Sequence, residues 1–172
     1  TTLADYRGSG YDRGHICPSA DRQNSQDANE QTYYLSNMQP QVHKFNAGVW
    51  ENMESQLRNT WNTSAYRDIL YVCKGGTIDN ASQIATYAKN KLLVPKYFFA
   101  AILAVKNGQY KAIGLWFEHK SNNDKNLSNY VVSIDELEKL TGIDFFCNLP
   151  DNIEDKVEAA TKSEMLSDWG LK

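Results

Sequence analysis

Apolar and polar positions show no sustained period over residues 1–30, where glycines and charged residues interrupt every short apolar run, and this stretch predicts loop. The segment "TYYLSNMQPQ" (32–41) opens with β-formers and reaches Pro40, which predicts a short strand followed by a turn. Residues 46–62, "NAGVWENMESQLRNTWN", carry a helical period. At ~100° per residue, Trp50, Met53, Leu57 and Trp61 fall on one face. Asn46 begins that face one turn earlier, and Glu54 and Arg58 lie along its edge. "DILYVCKG" (68–75) predicts a strand ending at Gly75-Gly76. "YFFAAILAV" (97–105) and "YKAIGLWFEH" (110–119) are β-rich runs joined by a turn holding Asn107-Gly108, the clearest hairpin in the chain. A polar loop follows at 121–129. Residues 133–143 predict a helix, with Ser133 and Glu136 as a capping box, Leu137 and Leu140 inward, and Gly142 as the stop. Residues 149–166 predict one further, mostly exposed helix. With no repeat or linker, the pattern predicts a single α+β domain over 1–172, a mainly antiparallel sheet with packed helices.

Composition narrows the function only slightly. The 172 residues are 41% hydrophobic and 23% charged, ordinary for a globular domain long enough to bury a core. No apolar run approaches the ~20 residues of a bilayer-spanning helix, so no membrane partner is expected. The formal net charge is −3, which excludes a globally basic nucleic-acid binder. Any attraction for phosphate must come from a few placed arginines or from a metal. The cysteines Cys17, Cys73 and Cys147 have no CxxC spacing, which removes zinc-finger and thioredoxin-like readings.

The densest candidate chemistry is "YDRGHICPSADR" (11–22), where His15 follows Asp12 and Arg13. An imidazole there can take a proton near neutral pH, with a carboxylate or carbonyl fixing its tautomer, although taken alone it reads first as a surface loop histidine. His43 and His119 read as a loop residue and a strand-end residue. On the helix, Asn46 and Glu54 stand two turns apart and can approach one hydrated cation, while Arg58 can reach a phosphate oxygen; the same spacing also suits a Glu54–Arg58 ion pair. Together these groups suit phosphodiester hydrolysis, which needs a deprotonated water, neutralised phosphate charge and a stabilised leaving oxygen.

"DRGH" (12–15), "YYLSNMQPQ" (33–41) and "FNAGVWENMESQLR" (45–58) resemble, in order and spacing, the DNA/RNA non-specific endonucleases. That family includes secreted bacterial nucleases and mitochondrial endonuclease G. The resemblance is strong over 11–61, and looser through 68–119 and "FFCNLPD". It implies a ββα-metal active-site motif in which His15 is the general base and Asn46 the single direct protein ligand to Mg²⁺, with Mn²⁺ able to substitute. It implies that Glu54 holds metal-bound waters. Arg13 and Arg58 would bind the substrate phosphates, and Asn37 would support the catalytic region. Asp12 is expected to be structural, and Arg7 is given no catalytic role.

The implied activity is hydrolysis of DNA and RNA with little sequence preference, leaving 5′-phosphate ends. Partners compatible with the resemblance are DNA, RNA, a second copy of the chain in a homodimer, and a protein inhibitor. A secreted or periplasmic location is expected. The rival class is a non-catalytic binding module on a decayed nuclease fold, which the joint presence of His15 and Asn46 disfavours. The family has a strand upstream of its DRGH motif, whereas eleven residues precede Asp12 here, so the domain is expected to lack an N-terminal segment and to leave a sheet edge open or covered by another chain. Cys73 and Cys147 are expected to lie close together, with Cys17 near the site and outside any bridge.

Overall fold

The structure, a computed structural model, describes residues 1–172 and has the expected α+β composition. It divides into two compact units, one comprising Thr1–Glu54, Gly76–Phe98 and Glu118–Lys125, the other Ser55–Gly75, Phe99–Phe117 and Asn126–Lys172.

In the first unit the stretch expected to be loop is partly ordered. Helix α1 spans Leu3–Tyr6, strand β1 Asp12–His15 and helix α2 Gln26–Gln31, with Ser25 capping α2 by accepting from the Ala28 N–H. These elements are too short for a period to show. Strand β2, Met38–Gln41, starts later than expected, because a 3₁₀ turn takes Leu35–Asn37, and it runs through Pro40. A two-stranded ribbon tolerates proline because alternate N–H groups point away from the partner strand. β1 and β2 pair antiparallel with Asp12 opposite Gln41 and His15 opposite Met38.

One helical turn, α3 (His43–Phe45), then leads into a wider turn over Asn46–Trp50 and on into α4 (Glu51–Gln56), with a last turn at Leu57–Trp61. The helix expected over 46–62 is therefore present but kinked, with Ala47 and Gly48 outside helical geometry. At the kink the Val49 N–H leaves the helix ladder and donates to the Asn122 carbonyl at 3.0 Å, an approach that needs glycine at 48 because a Cβ there would overlap that oxygen. A hairpin of β4 (Ile84–Ala88) and β5 (Leu92–Pro95) was not anticipated. Its turn places Lys89 and Asn90 at positive φ, a demand usually met by Asn-Gly, so the usual signal is missing. Tyr6, Met38, Ala88, Leu92 and Val94 form this unit's cluster beneath the ribbon and hairpin.

The second unit is built on the antiparallel hairpin of β6 (Tyr97–Lys106) and β7 (Gln109–Glu118), whose first residues and last residue belong to the first unit. Asn107 and Gly108 both take positive φ in the turn, as the sequence predicts. The sheet order is β3-β6-β7-β8, with β3 at Ile69–Gly76 and β8 at Val131–Val132. β6 is buried from Phe98 to Ala104, which explains its unbroken apolar run. β3 is an edge strand, with Ile69, Tyr71 and Val72 exposed.

Helix α5 (Ile134–Thr141) stops as read, with Gly142 closing it in left-handed geometry, and of the expected capping box the half in which the Ser133 hydroxyl accepts the Glu136 N–H is formed. The single helix expected over 149–166 is instead two, α6 (Asp151–Glu158) and α7 (Lys162–Asp168). Thr161 caps a new helix in a reciprocal box with Glu164, and this restart outweighs continuation through two alanines. Phe99, Leu103, Ile134, Leu137, Phe145 and Val157 are among this unit's core. None of the three cysteines is in a disulfide, so the expected neighbours Cys73 and Cys147 are exposed thiols and not a bridge. No helix is long and apolar enough to cross a membrane.

If the Thr161–Glu164 box sets the break, Thr161→Ala should lower the unfolding free energy by about 1 kcal/mol, the usual cost of a lost N-cap. Urea denaturation measures this, and an unchanged midpoint would count against the cap as the cause of the break.

Candidate active site

The site is built on one strand pair and one helix start. In β1, Arg13 and His15 are two residues apart and so share a face of the ribbon, while Gly14 faces the opposite way. That opposite face is closed: a Cβ at Gly14 would overlap the Gln41 side chain, which is fully buried. Any larger residue at 14 would have to displace the buried Gln41 side chain or the strand carrying His15.

The end of β1 is held from two further directions. The Asn37 amide donates to the carbonyls of Cys17 (2.8 Å) and Thr32 (2.8 Å), and its oxygen accepts the Cys17 N–H (2.9 Å). The Ile16 N–H reaches the Asn37 carbonyl at 3.0 Å. Asn37 thus spends its polar atoms on backbone and acts as a brace. The fully buried Trp50 donates its indole N–H to the His15 carbonyl at 3.2 Å. The Tyr33 ring meets the His15 imidazole edge-on at 5.1 Å, so the imidazole plane is packed as well as its backbone.

Asp12 proves to be the link between strand and helix. Its Oδ2 accepts from the Asn46 amide nitrogen at 3.0 Å and lies 2.8 Å from His43 Nδ1. The sequence reading gave Asp12 only a structural part and left His43 in a loop, whereas His43 opens α3 and completes this trio. With its nitrogen committed to Asp12, Asn46 has its carbonyl oxygen left as a donor. A neutral oxygen backed by a carboxylate suits a hard, water-rich cation such as Mg²⁺, so the residues present fit the expected metal. Glu54, buried, follows two turns along the helix in the same unit. Arg58 lies four residues beyond Glu54, in the other unit.

A cleft of about 680 Å³ is lined by Leu3, Tyr6, Arg7, Tyr11, Asp12, Arg13, His15 and Asn46. His15, Arg13 and Asn46 are thereby brought together as expected. Arg7, for which no catalytic role is expected, lines the same cleft and doubles its guanidinium charge. Lys89 fixes that segment by donating to the Ala4 and Arg7 carbonyls at 3.1 and 3.0 Å. The only sequence signal for Arg7 was its being basic. Burial pushes the Tyr6 phenol at the cleft's base up to about 12, so it stays neutral at any working pH.

His119 keeps the structural part expected of it. Nε2 accepts the Val42 N–H at 2.8 Å, and Nδ1–H donates to the Pro95 carbonyl at 2.7 Å. The bond from Val42 requires the neutral ring, whereas the Nδ1–H bond to Pro95 survives protonation. Phe45 and Phe98 pack on it edge-on at 5.2 and 5.0 Å.

An antiparallel strand pair followed by a helix, with a histidine on the first strand and an asparagine at the helix start, defines a ββα-metal nuclease site. The sequence model of the DNA/RNA non-specific endonucleases matches residues 1–152, and the chain belongs to that family. It is 34% identical over 169 residues to a protein named "Nuclease" from Nostoc sp. (strain PCC 7120 / SAG 25.82 / UTEX 2576), covering 92% of this chain and 58% of that one. It is 33% identical over 158 residues to mitochondrial endonuclease G of Homo sapiens, covering 86% and 52%. Among solved structures, the crystal structure of the EndoG/EndoGI complex, which concerns EndoG inhibition, superposes with a TM-score of 0.78 at 26% identity, over 89% of this chain and 66% of that one. The chain therefore spans between half and three-fifths of the length of these two curated relatives.

Burial holds the His119 imidazole below its ordinary value, with the Pro95 bond partly opposing. A basic group lowered in this way stabilises the fold fully above its unfolded value of ~6.5, and the contribution is lost as pH falls through 6.5 toward the folded value. The urea midpoint should therefore drop between about pH 7.5 and about pH 5.5. The drop should be smaller in His119→Gln, whose amide can donate and accept without titrating. Equal drops in both proteins would remove His119 as the cause.

Proposed function

We propose that the chain carries the catalytic centre of a Mg²⁺-dependent endonuclease that hydrolyses phosphodiester bonds of DNA and RNA with little sequence preference. The observation that carries this reading is the Asp12–Asn46 hydrogen bond, which leaves an amide oxygen at the same cleft as His15. Family membership and relatives named as nucleases support it.

In this reading His15 accepts the proton of the attacking water. Its ring is held by Tyr33 and its backbone by Trp50, so the base meets the water in a fixed orientation. Asn46 would hold the cation directly, and Glu54 would hold it through water. When bound, the cation supplies Lewis-acid stabilisation of charge on the phosphate and the leaving oxygen. Arg13 binds phosphate oxygens, and Arg7 is placed to assist from the same cleft. The resemblance adds Arg58, in the second unit, as a further phosphate-binding arginine. Asn37 acts by holding the β1 end and touches no reacting atom. Contacts to phosphate carry no base information, which accounts for the weak sequence preference. A protein inhibitor is a compatible partner, because the similar EndoG structure is of a complex concerned with its inhibition.

Plasmid nicking with and without EDTA tests the proposal. His15→Ala should lower turnover by at least ~10²-fold with the fold retained, the usual scale for a lost general base. Asn46→Ala should reproduce the effect of EDTA, and Mn²⁺ should replace Mg²⁺ in the wild type. Chelator-insensitive nicking, or a His15→Ala variant near wild-type rate, would overturn it.

Asp12 gives a separate prediction. Because it orients the metal-ligating amide, Asp12→Ala should raise the Mg²⁺ concentration for half-maximal cleavage by roughly 10- to 100-fold, the range for outer partners of metal ligands. Excess metal should recover much of the rate. An unshifted Mg²⁺ requirement would mean that Asp12 does not set the Asn46 orientation.

A further inference from the structure

The nuclease reading makes no use of a cluster in the second unit. Asp135 and Glu138 stand three residues apart on α5, and so lie on one face. Glu158 is the last residue of α6. One carboxylate oxygen from each of the three lies within 4.8 Å of the others. Acidic clusters on surfaces are common, but Glu158 is not on the surface. It is only 9% exposed, and its Oε1 is buried with no hydrogen-bond partner. A buried acceptor left in that state costs free energy that native proteins normally recover through a partner. Its place on the helix compounds the cost, because the C-terminal end of α6 presents carbonyl oxygens and partial negative charge. Burial, and then the charges of Glu138, Glu154, Asp135 and Asp144, push the Glu158 acid up to about 7. Glu138 is already held, since its Oε1 accepts the Phe145 N–H at 2.7 Å.

We propose that Asp135, Glu138 and Glu158 form a divalent-cation site of the calcium type that ties α5 to the end of α6. The donor set is all hard oxygen, with neither histidine nor cysteine, which disfavours zinc. Three carboxylates offered by two helices suit Ca²⁺, which accepts six to eight oxygens in flexible geometry. Mg²⁺ demands near-ideal octahedral geometry and dehydrates reluctantly, so it is the poorer fit to a site of this kind. The cation supplies the missing partner of Glu158 and screens the facing carboxylates, and water fills the remaining positions. The site lies within the second unit and rests on no part of the nuclease mechanism.

Thermal unfolding of the whole chain tests this. An Asn46→Ala background removes the proposed catalytic ligand, so that any metal effect reports on other sites. After chelation, about 1 mM CaCl₂ should raise the Tm by several degrees, a concentration suited to a weak three-carboxylate site, and MgCl₂ should do clearly less. Adding Glu158→Gln should abolish the shift and leave the metal-free Tm no lower than that of the parent, because a buried charge is removed. Asp135→Asn, a change at a less buried position, should weaken Ca²⁺ binding by at least tenfold in calorimetry, and it carries the test alone if Glu158→Gln fails to fold. Absence of a Ca²⁺ effect in the Asn46→Ala protein overturns the proposal. So does an effect that survives both carboxylate substitutions, or one that Mg²⁺ matches.

Discussion

The bond on which the proposed site depends is the one between the Asp12 carboxylate and the Asn46 amide. It joins the first residue of β1 to the point where the helical run leaves its first turn. The Asp12–Gln41 register also fixes which way every following residue of β1 points, so one residue sets both the asparagine and the strand that carries His15. A single-residue slip would turn Arg13 and His15 toward Gln41 and bring Gly14 to the cleft. The buried Gln41 side chain leaves room for glycine and not for the Cβ of Arg13 or His15 on that face, which favours the observed register.

Fixing the helix end is a separate problem, and His119 addresses it from the core. Its ring accepts from Val42, whose carbonyl in turn accepts the N–H groups of Phe45 and Asn46, both at 2.9 Å. The peptide groups that begin the helix are therefore tied to a neutral imidazole packed between phenylalanines. Asn46 is held through its side chain by Asp12 and through its main chain by this arrangement. Preorganisation of that kind suits a centre with one neutral direct ligand, because a weak ligand cannot by itself organise a mobile loop around the ion.

Much of this was legible in the sequence where a pattern extended over many residues. The β6–β7 hairpin could be read from two apolar runs and Asn107-Gly108, and α5 from Ser133, Glu136 and Gly142. His15, Arg13 and Asn46 could be placed together because ordered motifs carried a family resemblance. What failed had physical reasons. β1 and α1 are four residues each, shorter than any period can register, so Arg7 gave no sign of reaching the cleft. The β4–β5 turn uses Lys89 and Asn90 at positive φ, which sequence preference argues against. The helix over 149–166 was split by a four-residue capping box whose letters, Thr161 to Glu164, also fit a helix interior. Asp12 was undervalued because its partners, His43 and Asn46, are more than thirty residues away and only strand pairing brings them near.

The formal charge of −3 averages two opposite environments. In the first unit Arg7 and Arg13 line a cleft whose carboxylate, Asp12, is already engaged, so the free charge there is positive. In the second unit burial, and then the charges of Glu138, Glu154, Asp135 and Asp144, push the Glu158 acid up to about 7. A polyanion meeting the first environment finds guanidinium groups and room for a cation, whatever the chain's total charge. The second environment would repel the same polyanion, and its own need is for a bound cation or proton. Net charge therefore said little about substrate here, because electrostatic recognition acts over roughly a Debye length of ~8–10 Å and not over the whole chain.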